Sequence, residues 1–508
     1  MIERILFKKI SASGLAVFRI TYHLVFLFEI FKIFNYRQLY FDEIPFLKPH
    51  FPDTTLILIL WLFIIFSIII GYRTKLFSII NYIFGVVFIS SAVSFEYHMF
   101  YVYSGINFLF MFLPSSYSYS LDYLRKKFYL AKQGKVYIAP KVSKINYFIP
   151  VFLGLALVYF DSVIFYKFKS NVWMNGLGLW LPSSLPHITI SNYQWVLNQE
   201  MLVKSLSYIT LIFEFVFLFI FWIKKFRLPL FVIGLALHIG IYFEYPIPYF
   251  ALGCMSIYLL MVPVSLWDNL NSFFKKKISN YVKRKKIGNV FLFFKKQFEV
   301  NNIDIPSKSR FKLRNIFFSI SSVRNAFFVF LIAFSILAQR QVYYSFSNNK
   351  NITYKVNQIL KEFLGITGHS LFIDDHFEGY NNVFTLKFKG QFLPFLNEEG
   401  MPDKYISGGS FAYWTFRTNG PYVKEKGYRL EKGLMKFSAF WIYKNELKNL
   451  KKIEFDIVKK EIRGPMKWEK DLLKKNIEAP WKNVGKLIWS NGRAKFDWSL
   501  KGKNNNSH

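Results

Sequence analysis

Tyr147-Phe-Ile-Pro-Val-Phe-Leu-Gly-Leu-Ala-Leu-Val-Tyr-Phe-Asp-Ser-Val-Ile-Phe165 is an almost unbroken apolar run, and two residues beyond it stands a lysine, Lys167. A run of this length and composition reads as a membrane-spanning helix. An ammonium held at the centre of such a helix costs at least ~2.5–3.5 kcal/mol, so an ionisable group at membrane depth is a functional-site hypothesis. An amine desolvated there gives up its proton readily and becomes a base.

The rest of the chain belongs to the same class. Its 508 residues are 53% hydrophobic and 21% aromatic, which excludes an ordinary soluble protein. A hydropathy reading predicts about nine spans, near 14–34, 54–71, 76–95, 99–114, 147–166, 205–223, 228–244, 248–265 and 325–340. Residues 4–34 lack a small-residue cleavage site, so they read as a permanent helix and not as a signal peptide.

The net charge of +35 falls unevenly. Arg4, Lys8 and Lys9 precede the first span, Arg73 and Lys75 join the second and third, and seven Lys or Arg lie from Arg125 to Lys144. Lys224, Lys225 and Arg227 join the sixth and seventh, and 268–324 carries Lys275–Lys277 and Lys283–Lys286. All these loops share one side of a nine-span arrangement, which the positive-inside rule makes the cytoplasm. The N-terminus is then cytoplasmic and the tail extracytoplasmic, with the inner membrane of a bacterium as the expected location. The lipid bilayer, with anionic headgroups, is the expected partner of the basic loops, and nucleic acid is not. The sole cysteine, Cys254, lies in a span, so no intramolecular disulfide forms.

Four parts follow: a membrane body over 1–267, a basic cytoplasmic insert over 268–324, a ninth membrane helix over 325–345 and an extracytoplasmic mixed α/β domain over 346–508. The insert is expected to form amphipathic helices near 268–283 and 289–299. In the tail, 357–364 reads as a helix, while 383–388, 411–416 and 436–441 alternate as strands do. Gly365, Gly368, Gly379, Gly390 and Gly408-Gly409 supply turns. The outside loop 168–204 carries Trp173, Trp180 and Trp195 and reads as a segment lying on the outer leaflet. Gly368-His-Ser-Leu-Phe-Ile-Asp-Asp-His376 gathers two His and two Asp. A solvated turn between strands is the preferred reading there, with a cation site or a cap on a membrane pocket as alternatives.

Polar groups inside the spans come next. Arg19 and Glu29 share the first span but lie about 15 Å apart along it, so each needs a partner from another helix. Asp161 and Glu214 are candidate partners for Arg19, Arg37 or Lys167. His98, Lys167 and His238 come from three spans yet reach a similar depth at the outer side. They are expected to share a polar pocket that Glu96, Tyr97, Glu244 and Tyr245 could line. A two-His-plus-carboxylate metal site lacks fixed spacing, and no metal is expected.

These residues resemble a known family. Leu15-Ala-Val-Phe-Arg19, Glu29-Ile30, Gly71-Tyr-Arg73, His98-Met-Phe-Tyr-Val-Tyr-Ser-Gly105, Tyr159-Phe160 followed by Lys167, Trp173 and Gly176, and His238 ahead of Phe250-Ala-Leu-Gly253 occur in order. Together they look like the membrane domain of vitamin K-dependent gamma-carboxylases, also called the horizontally transferred transmembrane domain, over about 1–267. The resemblance implies a polytopic fold of eight helices plus one. It implies a quinone-dependent lyase acting on a peptide at the outer face, with reduced vitamin K or another hydroquinone as cofactor. Lys167 would deprotonate the hydroquinone, and His98 and His238 would orient its oxygens. Tyr97, Tyr166 and Trp173 would border the cofactor, and Arg19, Glu29, Asp161 and Glu214 would support the site. Two positions depart from the family pattern. Tyr166 stands where the family pairs a second lysine, and Tyr97 replaces an asparagine.

Two further functions remain open on the sequence. One is a non-catalytic membrane partner in peptide maturation, export or a surface complex, with the tail as its protein-binding element. The other, a transporter, is weakened by the absence of an internal repeat.

Overall fold

The computed structural model describes residues 5–42, 53–92, 95, 97–270, 273, 307–338, 350–370 and 372–498. Glu96, Lys275–Lys277, Lys283–Lys286 and nearly all of the amphipathic segments expected at 268–283 and 289–299 lie outside the described residues.

The molecule is mostly helical. Four described helices are long and apolar enough to cross a membrane: Ser13–Asn35, Ile145–Lys169, Glu200–Ile220 and Lys224–Glu244. Pro248–Met261 and Val264–Leu270 form a fifth candidate, bent by 95°. Thr55–Ile70, Thr74–Ile89 and Ser321–Leu337 are apolar but shorter. Chain punctuation explains several of the short lengths. Gly71 turns left-handed at φ 74° and ends its helix after Ile70, and the His98–Phe110 helix stops at a turn at Met111.

Ile145–Lys169 is the central helix, with 78% of its apolar window buried, whereas Lys224–Glu244 is peripheral at 17%. The peripheral faces are apolar all the same: Leu56 is 80% exposed and Ile212 62%. Exposed apolar side chains on these helices are compatible with a membrane protein.

Polar groups tie the helix ends together on the side of the basic loops. The buried Arg19 guanidinium donates to the Ser115 carbonyl at 2.7 Å and to that of Tyr119 at 2.5 Å. Asp122 accepts from the backbone N–H groups of Arg73 and Thr74, each at 2.8 Å, and so satisfies donors that a helix start leaves unpaired. Arg19 thus finds backbone acceptors instead of a carboxylate, and Arg37 pairs with Asp42 at 2.9 Å.

The tail contains a five-stranded antiparallel sheet in the order Gln391–Phe392, Asn382–Phe388, Lys452–Glu461, Trp481–Ser490, Arg493–Asp497. The Tyr428–Lys444 helix packs on it, and Trp489 Nε1 donates to Ser438 Oγ at 3.0 Å. The expected strand at 383–388 and the helix at 357–364 are present. The strands expected at 411–416 and 436–441 are instead helical, within Gly409–Thr418 and Tyr428–Lys444. Leu430, Leu434, Phe437 and Phe440 recur at the helical spacing and are all buried, a period that six-residue windows are too short to separate from alternation. One buried apolar cluster runs without a break from Phe26 in the body to Phe455 in the sheet. The tail therefore packs on the membrane body instead of standing apart from it.

Candidate functional site

Where the tail meets the body there is a cavity of about 380 Å³. His98, Lys167 and His238 all line it, as do Tyr97, Tyr245, Trp173 and Glu214. Three helices far apart in sequence thus bring the expected ionisable residues to one chamber.

Lys167 is the best-defined member. Its Nζ donates to Glu214 Oε2 at 2.6 Å, with both side chains almost wholly buried. It also lies 4.1 Å from the centroid of the Trp173 ring. The carboxylate neutralises the ammonium and the indole face stabilises it further, which is how a buried charge is tolerated. Lys167 sits where the central helix loosens: Ser162–Tyr166 is a π-helical turn and Lys167–Lys169 a 3₁₀ turn. Such interruptions re-aim side chains and recur at functional positions.

His238 is held by two neighbours. Its Nδ1 lies 2.9 Å from the Gly234 carbonyl, which assigns the proton to Nδ1 and leaves Nε2 as an acceptor. The Tyr159 hydroxyl is 3.5 Å from that Nε2 and 2.7 Å from the Tyr258 hydroxyl. Tyr97 lines the cavity and donates to Glu29, which also accepts from Tyr103. Glu29 therefore lies directly behind the cavity wall, whereas Arg19 serves the opposite end of the helix.

Other expectations need correction. Trp173 and Trp180 do not lie on a leaflet surface: both are buried, and only Trp195 is exposed. The Trp173 indole N–H donates to the Phe372 carbonyl at 2.6 Å, so the tail and not a leaflet surface covers this part of the loop. The Gly368–His376 segment is not a solvated turn but caps the cavity. Asp374 accepts from Ser170 Oγ at 2.7 Å, Asn171 N at 2.8 Å and Val172 N at 2.9 Å, which holds the stretch carrying Trp173. Tyr166 lies outside the cavity, its hydroxyl tight against Gly368. Asp161 is likewise behind the wall, where it accepts from the His369 backbone N–H at 2.5 Å. Glu244 turns away to Thr189, whose hydroxyl donates to it at 2.8 Å. Among the described residues no group of three or more His, Cys, Asp or Glu is placed to hold a metal ion.

A cap at Gly368–His376 was only an alternative in the sequence, and the part of the wall from Phe411 to Arg417 left no signal there. Ser370, Phe372, His376, Phe416 and Arg417 line the cavity although each lies more than two hundred residues from Lys167. Burial pushes the His376 imidazole below its ordinary value, against the pull of Asp375. His187 is a second buried imidazole at this junction, 4.5 Å from the Tyr380 ring, with neither ring nitrogen hydrogen-bonded. Burial pushes it from 6.5 down to about 3. Below pH 6.5 the unfolded chain binds a proton at His187 that the folded chain refuses, so stability present above that pH is lost as pH falls toward 3. His187→Phe is expected to flatten the acid limb of a thermal-melt series over that window. An unchanged limb would show that His187 does not govern it.

No family model matches the chain, and neither a curated protein nor a solved structure does.

Proposed function

We propose that the chain is a membrane enzyme of the gamma-carboxylase kind, binding reduced vitamin K or another hydroquinone in the cavity and acting on a peptide or protein at the outer face. In this reading the three shorter apolar helices and the His98–Phe110 helix complete nine spans, with a cytoplasmic N-terminus, an extracytoplasmic tail and a bacterial inner membrane around them. The observation that carries it is the buried Lys167–Glu214 pair on the wall of a chamber shared with His98 and His238.

The residues suit such a ligand. The chamber is of small-molecule size, mostly apolar and aromatic, with a few convergent polar groups. His238 Nε2 and the Tyr159 hydroxyl offer hydrogen bonds to a ring oxygen. A bound hydroquinone supplies, through oxidation by O2, the strong base that no side chain provides for a glutamate γ-proton. The Lys167–Glu214 pair acts as one base: the carboxylate accepts a hydroxyl proton while the neighbouring ammonium stabilises the oxyanion left behind. The capping segment 368–376 keeps water from that charge, which strengthens every interaction inside.

Labelled CO2 incorporation into a glutamate-rich peptide tests this, with protein in nanodiscs, reduced vitamin K and O2. Incorporation is expected from the wild type and not from Lys167→Ala. Absence of incorporation by folded wild type beside an active control carboxylase would overturn it. The alternative, a non-catalytic membrane partner in peptide maturation, export or a surface complex, would then stand.

A further inference from the structure

Behind His98 lies a group of polar atoms that the Lys167–Glu214 pair does not use. His369 Nδ1 is 3.7 Å from Asp161 Oδ2, and the His98 and His369 rings are 5.6 Å apart, centroid to centroid. Asp161 and His369 are at most 2% exposed. His98 Nδ1, both His369 ring nitrogens and Asp161 Oδ1 are buried without a hydrogen-bond partner in the structure. An orphaned polar atom in a protein interior costs about 1–3 kcal/mol, so four in one cluster call for an explanation. Asp161 comes from the central membrane helix, His98 from another span and His369 from the cap. Docking of the tail is what assembles them.

We propose that Asp161, His369 and His98 form a proton relay that serves the cavity alongside the Lys167–Glu214 pair. It deepens the functional reading above and rests on it for the nature of the ligand. His98 is the member that lines the chamber. His98 takes the proton of a ligand hydroxyl, and the bonding electron pair stays on the ligand oxygen. The proton moves on toward His369, whose ring centroid lies 5.6 Å from that of His98. The positive charge comes to rest on the His369 imidazole beside the Asp161 carboxylate. Asp161 and His369 act through His98 and are positioning residues. Among the described residues, His376 and Lys361 also act on His98, and Lys167, Glu214, His238 and Arg417 lie on the chamber wall.

The relay is read without turnover by the absorbance of bound 1-naphthol, whose naphtholate absorbs at longer wavelength than the neutral form. Wild-type protein in nanodiscs at neutral pH is expected to hold part of the naphthol as naphtholate. Asp161→Asn and His369→Gln are each expected to lower that fraction by about tenfold, one unit of proton affinity. Their affinity for the probe is expected to stay within about twofold, because neither side chain lines the cavity. Asp161→Asn keeps an oxygen for the His369 N–H and so preserves the fold. His369→Gly with added free imidazole is expected to regain the naphtholate, a rescue that a merely structural role would not give. An unchanged fraction in both relay variants overturns the relay, as does failure of the wild type to bind 1-naphthol. Loss in Lys167→Met with unchanged relay variants leaves the first base standing alone. A fraction that depends on Asp161, in protein that incorporates no CO2, sinks the carboxylase reading and leaves the relay.

Discussion

Replacing Lys167 by methionine is expected to lower the melting temperature of the protein sharply as well as to abolish product formation. Glu214 would then be a buried carboxylate whose 2.6 Å partner has gone. Stranding one member of a buried ion pair costs about 3–5 kcal/mol, because desolvation remains while the attraction does not. Glu214→Gln is expected to do comparable damage by stranding the ammonium. The double variant Lys167→Met/Glu214→Gln removes both charges and is expected to recover most of the lost stability while staying inactive. Thermal melts of the four proteins in nanodiscs supply the cycle. Single variants as stable as the wild type would mean that the pair does not hold this wall together. A double variant that still turns over would remove Lys167 and Glu214 from the chemistry.

The same pair shows what could be read from sequence and what could not. A lysine and a glutamate in separate apolar runs must find opposite charge, and Glu214 stood among the few candidates for Lys167. The convergence of His98, Lys167 and His238 followed from depth alone, since the nine-span expectation gives each helix a direction and so places its residues along one axis. Their azimuth does not follow from depth, so Asp161 was weighed as a partner for a cation and proves to hold the cap at the His369 N–H. Contacts across a long sequence separation leave no local period, and Asp374 reads as a turn residue until Ser170, Asn171 and Val172 are placed beside it. The tail strands failed for a different reason. At 411–416 and 436–441 short aromatic-rich windows fit two periods equally, and burial against the sheet decided for the helix at 436–441.

Gly365→Ala is expected to be the most damaging small substitution in the tail. Gly365 is left-handed at φ 65°, and an added Cβ would fall within the van der Waals envelope of the Tyr101 carbonyl oxygen. That oxygen belongs to the His98–Phe110 helix and cannot rotate away as a side chain would. Across the same contact, a Cβ at Gly105 would sit 2.8 Å from the Leu364 carbonyl oxygen, so neither backbone has room to retreat. The left-handed conformation alone costs alanine about 1–2 kcal/mol. Overpacking adds about 1–3 kcal/mol. The displaced segment leads straight into Gly368, His369 and Ser370, so its movement would part the cap from His98 and open the chamber. Gly390→Ala is the matched control: it is left-handed at φ 82°, but nothing lies within 4 Å of its added Cβ. Only the backbone strain should then appear. In thermal melts Gly365→Ala is expected to fall well below Gly390→Ala and to lose binding of 1-naphthol, which the control keeps. Equal melting temperatures, or retained binding in Gly365→Ala, would mean that the tail can shift at this contact without disturbing the cavity it closes.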